Sequence, residues 1–303
     1  MKLAIFSATG DQGLAQVKAA LAAGHTPIAI ARNPAGAGLP EGAVPRAANY
    51  DDQPSLVAAM EGADAVLLNL PSTSFQAAEP LLAATQVIAR AAAENPTVKM
   101  LVFNTSMPLP DEMMDIKAQD ARLEMRHIVM GAGVPAVTIQ PVVYLDNLLK
   151  AWAWPEIAGD HLIHYPHRED LDVCWICHDD LAKLMNAAAE RPHLAGRIFP
   201  VGGPEAIRGP DLARRLSQVW DMPLRFKSMP VETCDEVMAN VFSQTATLER
   251  EVLAREMTKK YAWYNDPVAK PFSVDMGPVL AELPVTLTSL EDWAARQELP
   301  ALA

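Results

Sequence analysis

The opening segment of the chain, KLAIFSATGDQGLAQVKAALAAG, constrains the fold more than any other part of the sequence. A short apolar run at residues 3–6 leads into a glycine-bearing turn, and an amphipathic alanine-rich stretch follows. This order predicts a buried strand, a tight turn and a helix, as in a βαβ unit. We expect Gly10 to let the backbone approach a pyrophosphate and Gly13 to let the helix pack closely on the strand. The N–H groups at the start of the helix would bind the phosphates.

The first 150 residues continue this alternation, which predicts a Rossmann-type α/β fold with a doubly wound parallel sheet. Strands are predicted at residues 3–6, 27–31, 43–47, 65–70, 100–104 and 136–141. Helices are predicted at residues 13–24, 54–60, 78–94 and 118–133. Gly24 and Gly131 stand where C-terminal helix caps are expected.

The pattern changes after about residue 150, where tryptophans and prolines interrupt the alternation. We therefore predict a dinucleotide-binding domain over residues 1–150 and a smaller, mainly helical, discontinuous substrate-binding region over residues 151–303. Residues 171–203 are expected to return to the sheet through two further strands, at 171–177 and 196–203. The smaller region would cover the carboxyl edge of the sheet, where ligands bind in open α/β folds.

Composition excludes several classes of protein. The 303 residues are half hydrophobic, which is enough for a large core. With 25 basic and 37 acidic side chains the net charge is −12, so we expect no direct binding of nucleic acid. No apolar stretch reaches the ~20 residues that cross a bilayer, and we predict a cytoplasmic protein without membrane contact. The expected ligand is a small hydrophobic substrate, while a homo-oligomer or a protein partner is left open.

Three cysteines, Cys174, Cys177 and Cys234, are too few for a disulfide scaffold and fit a reducing compartment. The run CWICH at 174–178 matches the pattern for covalent haem attachment, which generally requires export. We interpret it instead as the end of a strand followed by a helix that begins with acidic residues. Zinc would need a second pair of ligands, which the sequence does not offer, so no metal is predicted.

The second predicted strand ends at Arg32, about 20 residues beyond the glycine turn, where an NAD-specific site usually has an acid. No Asp or Glu occurs from His25 through Pro40. Because an arginine can pair with a 2′-phosphate, we favour NADP(H) over NAD(H) as the cofactor. The alternative interpretation is that Arg32 is a solvated charge at a strand end. Asp11 lies in the phosphate turn and would repel the ligand unless it faces solvent or caps the helix.

Four segments carry a resemblance to a known family: SATGDQG, ARNP, NYDDQPSLVAAMEGADAVLLNLP and QPVVYLDNLL. On these, the chain resembles the NmrA-like group of atypical short-chain dehydrogenase/reductases, and the resemblance continues to the terminal LTSLEDWAAR. It implies an NAD(P)-binding Rossmann fold. It also implies one of two activities, since the group includes NADPH-dependent reductases of quinones, carbonyls and enones as well as redox sensors without turnover.

The sequence departs from this family pattern in two places. Ser7 stands at the first glycine position of the usual GATGxxG turn, which costs conformational freedom if that residue needs a positive φ. None of the five tyrosines is followed four residues later by lysine, the pair that typical members use. The resemblance aligns Lys117 with that lysine and Met113 with the tyrosine. It implies that Lys117 holds the nicotinamide ribose or protonates the substrate directly, as in the lignan and isoflavone reductase branch; the alternative is a lysine on a helix surface.

The carboxyl ends of the predicted strands define the expected site, because parallel strands end at one edge of a sheet. The residues predicted to bind the cofactor are Ser7, Thr9, Gly10, Asp11, Gln12, Gly13, Arg32, Leu70, Pro71, Ser72, Asn104, Thr105, Lys117, Pro141, Val142 and Val143. The residues predicted to act in catalysis, as donors to a developing oxyanion, are Lys117, Tyr144 and Ser106. Tyr144 and Asn147 are alternatively buried structural polar residues. The candidates for an aromatic pocket, or for core packing, are Trp152, Trp154, Trp175, Tyr261, Trp263 and Tyr264.

These features support three functional hypotheses. The first is an NADPH-dependent reductase of a hydrophobic conjugated acceptor such as a quinone, enone or aryl carbonyl. The second is a non-catalytic NADP(H)-binding redox sensor that acts through a partner protein. The third is an isomerase or lyase that keeps the nucleotide fold without a redox step, since a fold alone does not choose among chemistries.

Overall fold

The computed structural model describes residues 1–231, 233 and 247–301. Its strands are β1 (Lys2–Phe6), β2 (Thr26–Ala31), β3 (Val44–Ala47), β4 (Ala65–Leu68), β5 (Met100–Asn104), β6 (Ala136–Pro141), β7 (Leu162–Tyr165), β8 (Ile198–Val201) and β9 (Arg225–Ser228). Its α-helices are α1 (Asp11–Ala22), α2 (Gln53–Ala59), α3 (Ala78–Glu94), α4 (Lys117–Met130), α5 (Trp154–Asp160), α6 (His178–Ala189), α7 (Gly209–Trp220), α8 (Arg250–Tyr264), α9 (Met276–Glu282) and α10 (Leu290–Ala295). Leu145–Leu149 and Pro192–Leu194 form short 3₁₀-helices.

Within the described residues, seven parallel strands form one sheet in the order β3-β2-β1-β4-β5-β6-β8. Successive side chains of β1 point to opposite faces: Leu3 and Ile5 belong to one apolar cluster, and Ala4 and Phe6 to the other. Both faces are buried along the inner strands β1, β2, β4 and β5, which explains why these strands are nearly continuous apolar runs, whereas the edge strand β3 is mostly exposed. The predicted doubly wound parallel α/β fold is confirmed.

The strand order reverses between β1 and β4, because β2 and β3 extend the sheet to one side and β5, β6 and β8 to the other. In open α/β sheets, ligands bind in the crevice outside the carboxyl ends of the strands at such a reversal. The segments that follow β1, β4, β5 and β6 therefore meet where a ligand site is expected. Gly24 follows α1 with φ 75°, as its predicted capping position requires.

One predicted strand is wrong, because residues 171–177 do not join the sheet. They run extended, and their backbone N–H groups donate to three separate segments, at Ile207, Phe272 and Val143. Partners in different segments do not form a ladder, so only isolated bridges appear. The other strand predicted in this part of the chain, at 196–203, does join the sheet as β8 beside β6.

The C-terminal part of the chain shares a core with the sheet. The larger apolar cluster extends from Leu3 in β1 to Trp293 in α10. This part also contains a parallel pair, β7 and β9, that the sequence analysis did not predict. Among the described helices, none has the length and apolar character that crossing a membrane requires.

Candidate active site

A cleft of about 740 Å³ lies at the carboxyl edge of the sheet. It is lined by twelve of the residues predicted from sequence, namely Ser7, Gly10, Asp11, Gln12, Gly13, Leu70, Pro71, Ser72, Ser106, Val142, Val143 and Tyr144. These residues follow β1, β4, β5 and β6, so the parallel topology brings together positions that are up to 137 residues apart, from Ser7 to Tyr144. The cleft is therefore the candidate active site.

The glycine turn opens one end of the cleft. A Cβ atom on Gly13 would lie only 2.0 Å from the carbonyl oxygen of Ser7, so α1 packs on the turn as closely as predicted. Gly10 is the N-cap of α1, and no side chain caps this helix start. The N–H groups of the first turn, which have no acceptor within the helix, are thus available to an anion, and the helix dipole favours one. The start of α1 fits a diphosphate.

Ser7 adopts the left-handed conformation that its family position normally gives to glycine, with φ 52°. Its backbone N–H donates to the hydroxyl of Tyr50 at 2.9 Å, and its Oγ lies 3.2 Å from the same hydroxyl. The Ser7 Oγ also donates to the carbonyl oxygen of Asn69 at 3.0 Å. Side-chain hydrogen bonds that glycine could not make therefore offset the strain of about 1 kcal/mol or more at this residue.

Asp11 also lines the cleft, but its negative charge is balanced. Its Oδ2 accepts a hydrogen bond from the Lys150 ammonium group at 2.5 Å, and Lys150 lines the same cleft. The repulsion expected between Asp11 and a bound phosphate is thereby reduced, because the pair is close to neutral. Lys150 was not predicted from sequence, since it lies 139 residues beyond Asp11.

A buried amide, Asn104, joins the ends of three strands. Its Nδ2 donates to Oε1 of Gln12 at 2.6 Å and to Oδ1 of Asn69 at 2.9 Å. Its Oδ1 accepts from the backbone N–H of Ser106 at 2.8 Å. Ser106 has φ 61°, and its hydroxyl lies 3.2 Å from Oε1 of Gln12. Strained non-glycine residues of this kind persist where the surroundings fix them, and the network around Asn104 fixes Ser106 at the cleft wall.

Tyr144 places a buried hydroxyl in the middle of the cleft. The residue is 5% exposed, and among the described residues no group meets full hydrogen-bond geometry with its hydroxyl, although Asn104 and Ser106 lie close to it. Burial raises the pKa of Tyr144 well above its ordinary value of 10.0, while nearby Asn104, Arg122 and Ser106 oppose the rise. The phenol therefore stays protonated and acts as a hydrogen-bond donor. His178 packs edge-on against its ring, with the centroids 4.6 Å apart.

Arg122 contacts the backbone of two residues that line the cleft. The sequence did not predict it as part of the site. It is completely buried on α4, and its Nη2 donates to the carbonyl oxygens of Leu70 (3.1 Å) and Pro71. Desolvation lowers the pKa of Arg122 to about 10. An arginine on a helix is normally taken for a surface residue, so no local signal distinguished this one.

The far end of the cleft is largely aromatic. Its walls include residues that sequence reasoning missed, namely Ser74, Phe75, His167, His178, Lys260 and Phe272. Of the six aromatic candidates, Trp152 and Tyr264 line the cleft, whereas Trp154, Trp175, Tyr261 and Trp263 are buried in the core. Lys260 is 6% exposed, donates to the Ser74 hydroxyl at 3.2 Å and lies over the Phe75 ring at 5.7 Å.

Six predicted site residues do not line the cleft, namely Thr9, Arg32, Asn104, Thr105, Lys117 and Pro141. Asn104 still contacts the lining residues described above. Thr105 is buried, and its hydroxyl donates to the carbonyl of Met107. Arg32 is exposed just beyond β2.

The structure places Lys117, to which the resemblance gave a role, at an exposed helix start. Lys117 is the first residue of α4, and its side chain is exposed. Its backbone N–H donates to Oε2 of Glu256 at 2.9 Å, which satisfies the helix start. Lys117 is not among the residues that line the cleft, so the geometry does not support its contact with a substrate.

The CWICH segment, residues 174–178, is buried, and only His178 of these five residues lines the cleft. Cys174 and Cys177 are buried free thiols, and burial raises the pKa of both, that of Cys177 to about 12. Cys234 lies outside the described residues. In the part of the chain that the structure describes, no three His, Cys, Asp or Glu side chains are grouped to hold a metal ion.

Comparison with known proteins identifies the family. The model of the NmrA-like family matches residues 1–294, nearly the whole chain. The protein belongs to the NmrA-like family. The resemblance noted in the sequence is thus confirmed at the level of the family, and the seven-stranded parallel sheet agrees with it.

Characterised relatives of this NmrA-like protein are distant. The chain is 27% identical over 231 residues to a (4-alkanoyl-5-oxo-2,5-dihydrofuran-3-yl)methyl phosphate reductase of Streptomyces griseus, covering 74% of this chain and 78% of that protein. It is 26% identical over 213 residues to an NAD(P)H azoreductase of Xenophilus azovorans, covering 69% and 67%. Its fold is similar to that of NmrA, a negative transcriptional regulator with crystal structures in complex with NAD and with NADP. The TM-score is 0.75 for both complexes, at 17% and 18% identity, covering 97% of this chain and 94% of NmrA.

Proposed function

We propose that this protein is an NAD(P)H-dependent oxidoreductase, with NADPH favoured, that reduces a hydrophobic conjugated acceptor such as a quinone, enone or aryl carbonyl. One observation carries the proposal. One cleft joins a helix start without a side-chain cap, which suits a diphosphate, the buried hydroxyl of Tyr144, and an aromatic end. The reductase names of two relatives agree with it.

The chain's own residues would bind both reactants and stabilise charge. The start of α1 holds the diphosphate, and a bound reduced nicotinamide would supply the hydride. Tyr144 donates a hydrogen bond to the acceptor oxygen as negative charge develops there. Ser106 lies on the wall that follows β5, and its hydroxyl, which donates to Oε1 of Gln12 in this structure, would be a second donor if it turned to the acceptor. The buried surroundings strengthen both interactions because little water screens them.

A turnover assay tests the proposal. The purified protein is mixed with NADPH and, in turn, 2,3-dimethyl-1,4-naphthoquinone, 2-cyclohexenone and benzaldehyde, and loss of the nicotinamide absorbance is followed. We expect enzyme-dependent oxidation with at least one conjugated acceptor, in proportion to protein concentration. Saturable NADPH binding without oxidation by any acceptor would contradict the reductase.

Nucleotide binding without turnover is the result expected for the second candidate function, a non-catalytic redox sensor. Two observations favour it as the alternative. No tyrosine precedes a lysine by four residues, and the fold is similar to that of NmrA, a transcriptional regulator. With a net charge of −12, such a sensor would act through a protein partner or a second copy of the chain.

The proposed preference for NADPH depends on Arg32. Its exposed guanidinium follows β2, the strand beside the phosphate turn, where a 2′-phosphate would lie. We expect Arg32→Ala to weaken NADPH binding roughly tenfold, because a charge-assisted hydrogen bond is lost, and to leave NADH binding unchanged. Fluorescence titration of both nucleotides measures this. Arg90→Ala, which removes an exposed arginine on α3, is the matched control and should alter neither affinity. An equal loss for both nucleotides would remove the 2′-phosphate argument.

The pair of Asp11 and Lys150 should set the affinity for the diphosphate. Lys150→Met leaves Asp11 uncompensated beside the phosphates, and we expect NADPH binding to weaken about tenfold at low salt, and less at high salt. Asp11→Asn combined with Lys150→Met should recover most of this loss, because the repelling charge is gone. Lys18→Met, at an exposed position on α1, controls for net charge. Unchanged affinity in Lys150→Met would show that the ion pair has no role in nucleotide binding.

A further inference from the structure

His167 is a buried histidine, and the described residues offer no hydrogen-bond partner to either of its ring nitrogens. It is 2% exposed and lines the same cleft as Tyr144. Buried polar atoms in native proteins nearly always have partners, and an unpaired one calls for an explanation such as a ligand. Because His167 also lines the cleft, a bound ligand is one group that could supply this partner.

The surroundings of His167 are aromatic. Its ring centroid lies 4.6 Å from that of Tyr165, 4.9 Å from Phe272 and 5.6 Å from Trp175. Desolvation lowers the pKa of His167 to about 3, so the imidazole is neutral at every working pH. A neutral imidazole carries one donor and one acceptor, which suits an uncharged polar atom on a ligand.

The side chains at this end of the cleft favour a conjugated ligand. Phe75, Trp152, Tyr264 and Phe272 contribute rings to its walls. Aromatic side chains bind planar conjugated molecules through stacked and edge-on contacts. Tyr144 lies on the same cleft, so a molecule bound against these rings reaches toward the proposed site of hydride transfer.

We infer that His167 is the polar contact of an acceptor subsite, and that this subsite takes flat, uncharged conjugated compounds whose carbonyl oxygen or equivalent atom hydrogen-bonds its imidazole. The inference rests on the proposed reductase function and names its substrate class. His167 selects acceptors with a hydrogen-bonding atom over hydrocarbons of the same shape, because a hydrocarbon leaves the imidazole unpaired.

A pair of probes that differ only in the carbonyl groups tests the inference. Equilibrium dialysis measures the binding of 2,3-dimethyl-1,4-naphthoquinone and of 2,3-dimethylnaphthalene to the full chain with NADP⁺ present, so that no reduction occurs. The methyl groups block addition of thiols to the quinone. In His167→Phe, we expect the quinone to bind about tenfold more weakly and the hydrocarbon to bind at least as tightly as in the wild type.

Two further variants separate recognition from folding. His167→Gln keeps a donor and an acceptor and should recover part of the quinone affinity. His164→Phe removes a histidine from β7 that does not line the cleft, and both probes should bind it as they bind the wild type. Thermal unfolding of His167→Phe should occur at or above the wild-type temperature, because an unpaired buried group is replaced by a ring.

Equal loss of both probes in His167→Phe, or unchanged quinone binding, would overturn the inference. The binding experiment and the turnover assay test separate claims, so either claim can be contradicted while the other holds. If His167→Phe loses quinone affinity selectively while NADPH is not oxidised by any acceptor, the subsite is supported and the reductase function is not.

Discussion

Gly13→Ala is expected to destabilise the protein by about 3 kcal/mol and to abolish nucleotide binding. The new Cβ would lie 2.0 Å from the carbonyl oxygen of Ser7, 2.6 Å from its carbonyl carbon and 2.8 Å from Cα of Ala8. All three are backbone atoms at the end of a buried strand, so they have little room to move. Helix propensity alone would predict the opposite sign, since alanine is favoured over glycine in a helix by about 1 kcal/mol. The steric term is larger, and the start of α1 should be displaced.

Gly10→Ala is the matched control for this prediction. At Gly10, φ is −90° and the nearest atom to a new Cβ is the Ser7 carbonyl oxygen at 3.4 Å, an ordinary contact. We expect its free energy of unfolding to fall by less than about 1 kcal/mol, while NADPH affinity drops because the methyl group occupies the cleft. Urea unfolding and nucleotide titration measure the two effects. A Gly13→Ala protein as stable as the wild type would contradict the packing argument.

Local sequence patterns predicted the sheet because a buried parallel strand is a continuous apolar run. β1, β2, β5 and β6 were placed to within a residue in this way. The segment at 171–177 shows the limit of that argument. It is as apolar as a strand, but its partners come from separate segments, and a run of apolar residues does not identify its partners.

The candidate site was predictable where it depends on strand ends and unpredictable where it depends on distant contacts. Parallel topology places the residues after β1, β4, β5 and β6 together, and most of those predicted do line the cleft. The backbone strain at Ser7 is offset by hydrogen bonds with Tyr50, which lies 43 residues away. The negative charge of Asp11 is balanced by Lys150, which lies 139 residues away. Neither pairing leaves a local signal in the sequence.

The aromatic end of the cleft had even less local signal. His167, Lys260 and Phe272 come from the C-terminal part of the chain, and each one taken alone resembles a core or surface residue. The role of Lys117 rests on a family pattern alone, and the cleft lining does not include this residue. The tyrosine of that pattern is absent here, and the lysine lies at an exposed helix start.

Because this chain lacks the tyrosine of the family's Tyr–Lys pair, we expect Tyr144 to be the main hydrogen-bond donor to the acceptor oxygen. Tyr144→Phe is therefore expected to lower kcat on the order of 10²- to 10³-fold. The size of the effect follows from the loss of a donor in a buried, weakly screened site. The affinity for NADPH should be unchanged, because the substitution does not alter the glycine turn that is proposed to bind the diphosphate. Stability should hold or rise, since no described residue forms a hydrogen bond of full geometry with the hydroxyl that is removed. Steady-state kinetics with an accepted quinone, together with NADPH titration, measure both effects, and Tyr261→Phe, which removes a hydroxyl outside the cleft lining, should keep the wild-type kcat.

The pH dependence of kcat distinguishes a tyrosine that stays protonated and donates a hydrogen bond from one that ionises within the pH range of the assay. Because burial raises the pKa of Tyr144 above 10.0, its neutral form is favoured in the folded protein, and its contribution to stability is complete below pH 10 and is lost only as pH rises beyond it. Wild-type kcat should therefore show no loss from tyrosine ionisation as pH approaches 10. A kcat that falls with an apparent pKa of 7 to 9, and whose fall disappears in Tyr144→Phe, would instead make Tyr144 an acid of lowered pKa, contrary to its buried position. If the Tyr144→Phe variant kept the wild-type kcat, Tyr144 would have no role in the reaction. Ser106 would then be the remaining candidate for the hydrogen-bond donor.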